Sequence, residues 1–350
     1  MPIKNKYTFS LLAIVLVIVL LASIAFGAVS ISLLDMRLAL LHWVNGSEPA
    51  SIYESVFIQI RLPRVLLCAI TGAILSVSGV LMQGLFRNPI VEPGLVGTSA
   101  GAAFGASFVF VFASWFGPSI QSLVGPFLVP IFSFLGSLLA TLIVYQLSKS
   151  MSRVSLTSLL LVGVAINAVA LSGTGFMTYL ARDPQARSIS FWNLGTFSGA
   201  SWFQVELVSI VALIVLLLVV KDAKKLNALI LGESEAGYLG IDTKKLKRKI
   251  LIANTAMVAI ATAFVGVIGF MGLIVPHVMR LLVGSDHRKL IPASILGGAL
   301  LLLLADMGAR LLLAPAELPI GIITSLVGAP IYIVLLKSNH LIEGKGGRLD

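Results

Sequence analysis

Long apolar runs alternate with short polar joints along this chain, and the runs set its architecture. A helix needs about 20 apolar residues to cover the ~30 Å of a bilayer's hydrocarbon. Eight runs are of that order: Phe9–Val29, Leu62–Phe86, Leu95–Phe116, Pro126–Leu147, Val154–Leu180, Phe203–Val220, Pro292–Leu313 and Leu318–Leu336. A further run, Ile250–Val283, would be about 50 Å long as one helix, too long for one crossing, and Gly266, Gly269, Gly272 and Pro276 interrupt it. Basic clusters flank it on both sides, Lys244–Lys249 before and Arg288–Lys289 after. If both clusters lie on one side of the membrane, the run crosses twice. The pattern predicts an all-α polytopic membrane protein of ten transmembrane helices, both termini cytoplasmic, with residues 1–350 forming a single transmembrane domain.

One joint stands apart. Residues 221–249, KDAKKLNALILGESEAGYLGIDTKKLKRK, carry eight basic and four acidic side chains between spans six and seven. A segment this wet cannot sit in hydrocarbon, and one this basic marks the cytoplasmic side. Its middle, Leu226–Ile241, alternates helix-like pieces with glycines: Asn227–Leu231, Gly232, Glu233–Tyr238, then Leu239-Gly240. That reads as two short helices lying at the membrane surface.

Composition narrows the class. The chain is 58% hydrophobic and 11% charged, against about 25% charge in a soluble domain. Its net charge of +10 does not point to nucleic acid, because the basic residues cluster at the ends of apolar segments. On the predicted topology 19 of the 25 fall inside, the sign expected for cytoplasmic loops. The first apolar run exceeds a signal-peptide core and lacks a good cleavage site, so it reads as a retained span. The single cysteine, Cys68, lies in an apolar run. Gly97, Gly101 and Gly105 share one helix face, a packing row of the small-xxx-small kind.

Ionisable residues within spans are functional candidates. Here they are Asp306 with Arg310 four residues on, His277 with Arg280, and Glu317 near an interface. No span carries a row of acids or histidines suited to a proton relay. No GxxxxGK[ST] occurs, so no phosphate loop serves this chain. Energy is expected to enter from a partner, with the polar island as the place where it pushes.

Several stretches in order resemble one family. They are Arg61-Leu-Pro-Arg64, Gly79-Val-Leu-Met-Gln-Gly84, Asn88-Pro-Ile-Val-Glu-Pro-Gly94, Leu231-Gly232-Glu233 with Ala236, Gly269-Phe-x-Gly272 through Pro276-His277-x-x-Arg280, Asp286-His287-Arg288, and Glu317-Leu-Pro-Ile-Gly321 with Gly328-Ala-Pro330. Together, over about residues 60–336, they resemble the membrane subunits of the ABC importers for iron complexes and cobalamin. The resemblance implies a homodimer around a translocation path in the bacterial inner membrane, surrounded by membrane lipid. Two cytoplasmic ATPase subunits would hold ATP and Mg, with no cofactor in this chain, and a periplasmic or lipoprotein binding protein would deliver the cargo.

The resemblance also distributes roles. Gly232, Glu233, Ala236, Leu239 and Gly240 would form the ATPase-coupling element within 221–249. Arg61, Arg64 and Arg310 would meet acids on the binding protein; alternatively Arg310 pairs with Asp306, and Arg61 and Arg64 reach headgroups. Ser155, Leu156 and Thr157 match a gate region, or Ser155 begins a helix as an ordinary cap. Thr324 and Ser325 would line the same path. Arg182 and Arg187, beside Phe191-Trp192, suit the two carboxylates of haem, or anchor an interfacial loop. The cargo expected is an iron chelate, haem ahead of ferric siderophores, with cobalamin as the alternative. No His or Tyr pair is placed to ligate iron, so no metal site is expected. An ion-gradient-driven secondary transporter is the alternative from a different class.

Overall fold

The computed structural model describes residues 5–27, 31–47, 49–150 and 153–346; Lys4 and Arg348, counted above toward one side, lie outside the described residues. The chain forms α1 (Asn5–Ala25), α2 (Leu33–Val44), α3 (Ile52–Val56), α4 (Leu62–Phe86), α5 (Thr98–Phe112), α6 (Gly117–Leu147), α7 (Leu156–Leu180), α8 (Asp183–Asn193), α9 (Trp202–Val220), α10 (Ala223–Leu231), α11 (Glu233–Tyr238), α12 (Thr243–Val265), α13 (Met271–Val283), α14 (His287–Leu311) and α15 (Ile320–Gly346). A two-residue antiparallel pair, Lys149–Ser150 with Arg153–Val154, joins α6 to α7.

Among the described residues eight helices are long and apolar enough to cross a membrane, and two more, Met271–Val283 and Ile320–Val334, are apolar but shorter. Against the ten crossings expected, eight described helices have spanning length, and the other two expected stretches fall on α13 and α15, whose apolar parts are shorter. The shortness of α13 has a local cause. The run that begins in α12 breaks at Gly266, whose φ is +78°, in the left-handed region that glycine adopts freely. Residues 266–270 are not helical, and α13 begins only at Met271. Irregular backbone at membrane depth survives only where protein buries and satisfies it. Here Phe270 N donates to Glu92 Oε1 at 3.3 Å, and Thr196 N donates to Val265 O at 2.8 Å.

Helix α4 is the axis of the bundle. Nearly every residue from Val65 to Phe86 is buried, including Thr71, Ser76, Ser78 and Gln83. Lipid offers no hydrophobic drive between helices, so close backbone approach and small polar residues do the joining. On α4 and α14, a Cβ at Gly72 would sit 2.2 Å from Gly298 O, and one at Gly298 would sit 2.2 Å from Gly72 O. The predicted glycine row works the same way between α5 and α6: a Cβ at Gly101 would lie 2.4 Å from Gly136 O. By contrast α7 is largely uncovered, with Leu161, Val164, Val169 and Tyr179 exposed.

The bundle has two poles. At one, α10 of the polar island meets α4 and α14, while α11 packs on α10 and α12. At the other, Arg64 and Arg310 meet, and α8 packs against α5 and α7.

Candidate functional site at the two poles of the bundle

At the island pole, Asp222 follows α9 and is 5% exposed. It accepts from Lys225 Nζ at 2.7 Å and pairs with Lys249 of α12, which also donates to Leu218 O. Burial pushes this carboxyl's pKa up, but the two lysines outweigh it and hold the group below its usual range. Asp222 thereby staples the start of α10 to the start of α12. Gly232, with φ +145°, makes the sharp corner between α10 and α11. Glu233 then pairs with Lys247 of α12 at 2.5 Å, and Ala236 is wholly buried.

The predicted coupling residues thus divide. Gly232, Glu233 and Ala236 shape the island, while Leu239 and Gly240 face outward. Sequence reasoning missed the rest of the outward face: Leu231 is 70% exposed and Tyr238 90%. The signal was there, in large apolar side chains sitting in the wettest stretch of the chain. Large apolar side chains left exposed on a polar element are candidates for an interaction surface.

Above this, Asn227 of α10 reaches the start of α14. Its Nδ2 donates to Asp286 Oδ1 at 2.7 Å, and its Oδ1 accepts from His287 N at 2.9 Å. Asp286 caps α14 by accepting from Arg288 N and is gripped by the Arg288 guanidinium, which holds its carboxyl far below the usual range.

At the other pole Arg61, Arg64 and Arg310, expected to meet acids on a binding protein, are buried in this structure. They are only 6%, 7% and 7% exposed. Arg64 donates from Nε and Nη2 to Asp306 Oδ1, and from Nη1 to Glu317 Oε1 at 2.8 Å. Arg310 donates from Nε to Asp306 Oδ2 at 3.0 Å and from Nη2 to Ser23 O and Oγ. Arg61 donates from Nη1 to Ile24 O and Phe26 O. The reason is physical. Asp306 is 1% exposed, and a buried carboxylate requires paired cations. The last carbonyls of α1 have no helical donors, and the guanidinium forks supply them. Arg310 makes the pairing with Asp306 that their four-residue spacing suggests.

The gate and path residues do not meet. Ser155 caps α7, accepting from Ser158 N at 3.3 Å, and Ser155 and Thr157 are exposed with Leu156 half-buried, all at the island end of α7. Thr324 is buried near the opposite end of the bundle, its hydroxyl donating to Gly321 O, while Ser325 is exposed. Arg182 and Arg187 are both exposed on α8, with Arg182 N donating to Gln185 Oε1 at 2.9 Å. Among the described residues no three His, Cys, Asp or Glu side chains converge as a metal site.

Comparison with known proteins places this architecture. The hemin transport system permease protein HmuU of Yersinia pestis is 39% identical over 334 residues, 95% of this chain and 96% of its own. The vitamin B12 import system permease protein BtuC of Vibrio cholerae serotype O1 is 40% identical over 299 residues, 85% of this chain and 88% of its own. A solved inward-facing structure, of a transporter described as metal-chelate type ABC, superposes with a TM-score of 0.82 at 30% identity, covering 95% of this chain and 99% of that one. The sequence pattern of one transport family runs through residues 15–338, nearly the whole bundle, and the chain belongs to that family, the FecCD transport family.

Proposed function

We propose that this chain is the permease subunit of an ATP-driven importer that carries an iron chelate, haem foremost, into the cytoplasm. Two copies form the translocation path across the bacterial inner membrane, each with ten crossings and both termini cytoplasmic. Two ATPase subunits bind the island from below and hold ATP and Mg; this chain hydrolyses nothing. A periplasmic or lipoprotein binding protein delivers cargo above.

The observation that carries the reading is the exposed face of Leu231, Tyr238 and Leu239 on an otherwise charged island, a surface fit for a groove on a cytoplasmic partner. Haem is favoured because the similarity to HmuU extends over 95% of the chain, and because the exposed Arg182 and Arg187 suit a dicarboxylate cargo. The similarity to BtuC makes cobalamin the second reading. Ser155, Leu156 and Thr157 then serve the inner gate, with Thr324 and Ser325 on the path. Docking of the binding protein through Arg61, Arg64 and Arg310 would require their release from Asp306, Glu317 and the α1 carbonyls, and stripping a buried pair of its partner costs about 3–5 kcal/mol. Docking to this conformation therefore falls to exposed groups, Glu317 and the α8 arginines among them.

The test is reconstitution with the candidate ATPase in liposomes. Haem uptake requires internal ATP and is competed by excess haem more than by cobalamin. Uptake driven by a proton or sodium gradient without ATP would overturn the class, and stronger competition by cobalamin the cargo. Tyr238→Arg with Leu239→Glu is expected to lose ATPase co-purification at least tenfold.

A further inference from the structure

Besides the ion pairs that tie it to α12, the island is joined to α14 by one polar contact that no surface role requires. Asn227 lies on the inner face of α10, between Leu226 and Leu229, the first a direct neighbour and the second two residues on, both fully buried. Its amide is fixed in orientation from both sides. The Asp286 carboxylate accepts from Nδ2, and Oδ1 faces both the backbone N–H and Nδ1 of His287 at 2.9 and 2.8 Å. With Nδ2 committed to a carboxylate, Oδ1 must be the acceptor, so His287 Nδ1 carries its proton.

His287 in turn closes onto α4. It is 2% exposed, and a Cβ at Gly84 would lie 2.7 Å from its Nε2 and 3.4 Å from Leu226 Cδ2. One hook therefore joins three helices: α10 through Asn227, α14 through Asp286 and His287, and α4 at Gly84. Beyond the hook, α4 and α14 remain together to the far pole. They touch backbone to backbone at Gly72 and Gly298, and Arg64 bonds Asp306 at the end. The span from His287 to Arg310 is about 35 Å of helix, pinned at both ends and in the middle. Among the described residues no comparable polar hook to the island is present on α7, much of which is exposed.

We propose that Asn227 is the positioning residue through which displacement of α10 and α11 becomes rigid movement of the α4–α14 pair. The inference rests on the reading above that this island receives the ATPase. Asn227 touches neither the outward face of the island nor any cargo path; it acts by making α10 and the pair one body. Without it, α10 keeps its shape and its docking face, and the push is lost at the joint.

The experiment uses the full transporter with its ATPase partner in liposomes and reads three quantities: ATPase co-purification, ATP turnover, and uptake per ATP hydrolysed. Asn227→Leu keeps the branched heavy-atom shape and removes every side-chain hydrogen bond that Asn227 makes in the hook. Co-purification and turnover are expected to stay within about twofold, and uptake per ATP to fall about tenfold. The exchange Asn227→Asp with Asp286→Asn restores the donor–acceptor pairing in reverse and is expected to recover at least half of the wild-type ratio, whereas Asn227→Asp alone sets two carboxylates together and is not. Should Asn227→Leu fail to assemble, Asn227→Asp against the exchange carries the same test. An unchanged ratio in Asn227→Leu, loss of co-purification by an Asn227→Leu chain that itself folds and inserts as wild type, or no recovery in the exchange would each overturn the proposal. The docking reading fails separately, if Tyr238→Arg with Leu239→Glu still co-purifies the ATPase.

Discussion

Removing the carboxylate of Asp306 is the sharpest test of how the far pole is built. Asp306 is 1% exposed and accepts from Arg64 Nε and Nη2 and from Arg310 Nε. In Asp306→Leu, Arg310 loses its only carboxylate among the described contacts, and Arg64 keeps only Glu317. Both guanidiniums stay 7% exposed, too deep for water to replace the loss. Breaking a buried pair by deleting one partner costs about 3–5 kcal/mol, which at about 1.36 kcal/mol per decade raises the opening constant roughly 150- to 5,000-fold. Glu317 is a contrast, since its side chain is 39% exposed. An exposed pair is worth about 0–1 kcal/mol, so Glu317→Gln should raise opening at most about fivefold. The chain supplies its own reporter. Cys68 is its only cysteine, wholly buried and one helical turn from Arg64 on α4. Labelling of Cys68 by a maleimide dye in detergent, under conditions where reclosing outpaces labelling, follows the opening constant. Asp306→Leu should label faster than Glu317→Gln by a factor of about 30 or more. Equal rates in the two variants would refute the buried-network account and return the arginines to a solvated role.

Two further outcomes follow from the packing and the staple. Gly101→Leu places a Cβ 2.4 Å from Gly136 O, whereas Gly125→Leu meets nothing within 4 Å. Overpacking typically costs about 1–3 kcal/mol, so the first should lower the melting temperature in detergent by several degrees and the second leave it near wild type. Asp222, held below its ordinary pKa by Lys225 and Lys249, contributes stability that is present above the unfolded carboxyl value of about 3.9 and lost as pH falls through the lower folded value. Hydrogen exchange at the α10 amides should therefore show protection that is flat from neutral pH down to about 4 and drops below it. In Asp222→Asn that acid-dependent part should vanish, and protection at neutral pH should already be reduced.

What could be read along the chain, and what could not, follows from how membranes drive folding. Crossing helices are legible because lipid satisfies no backbone group, so every span must be a continuous apolar helix or be buried where it is not. The polar island was legible for the complementary reason, and α11 runs over the residues expected of it, Glu233–Tyr238. Which apolar helix is central was not. Residues 62–86 and 154–180 look alike in hydropathy, since lipid and protein interior are equally apolar, yet α4 is the buried axis while much of α7 is open. The cue was the small and polar set Thr71, Gly72, Ser76 and Ser78, which costs stability against lipid and is repaid only against another helix. The arginine pole was legible by half. Asp306 and Arg310 are one turn apart and visible as a pair, but Arg64 joins them from 242 residues away, and the α1 carbonyls that occupy Arg61 and Arg310 carry no side-chain signature at all. Basic residues at the end of a span look the same whether they face water, headgroups or a buried acid. The discriminating fact is whether a carboxylate is buried within reach, and that is a property of the assembled bundle. Here Asp306 answers it: once a helix carries an acid that deep, its cations are fixed by electrostatics before any partner arrives, so a docking protein has to compete with Asp306 to engage them.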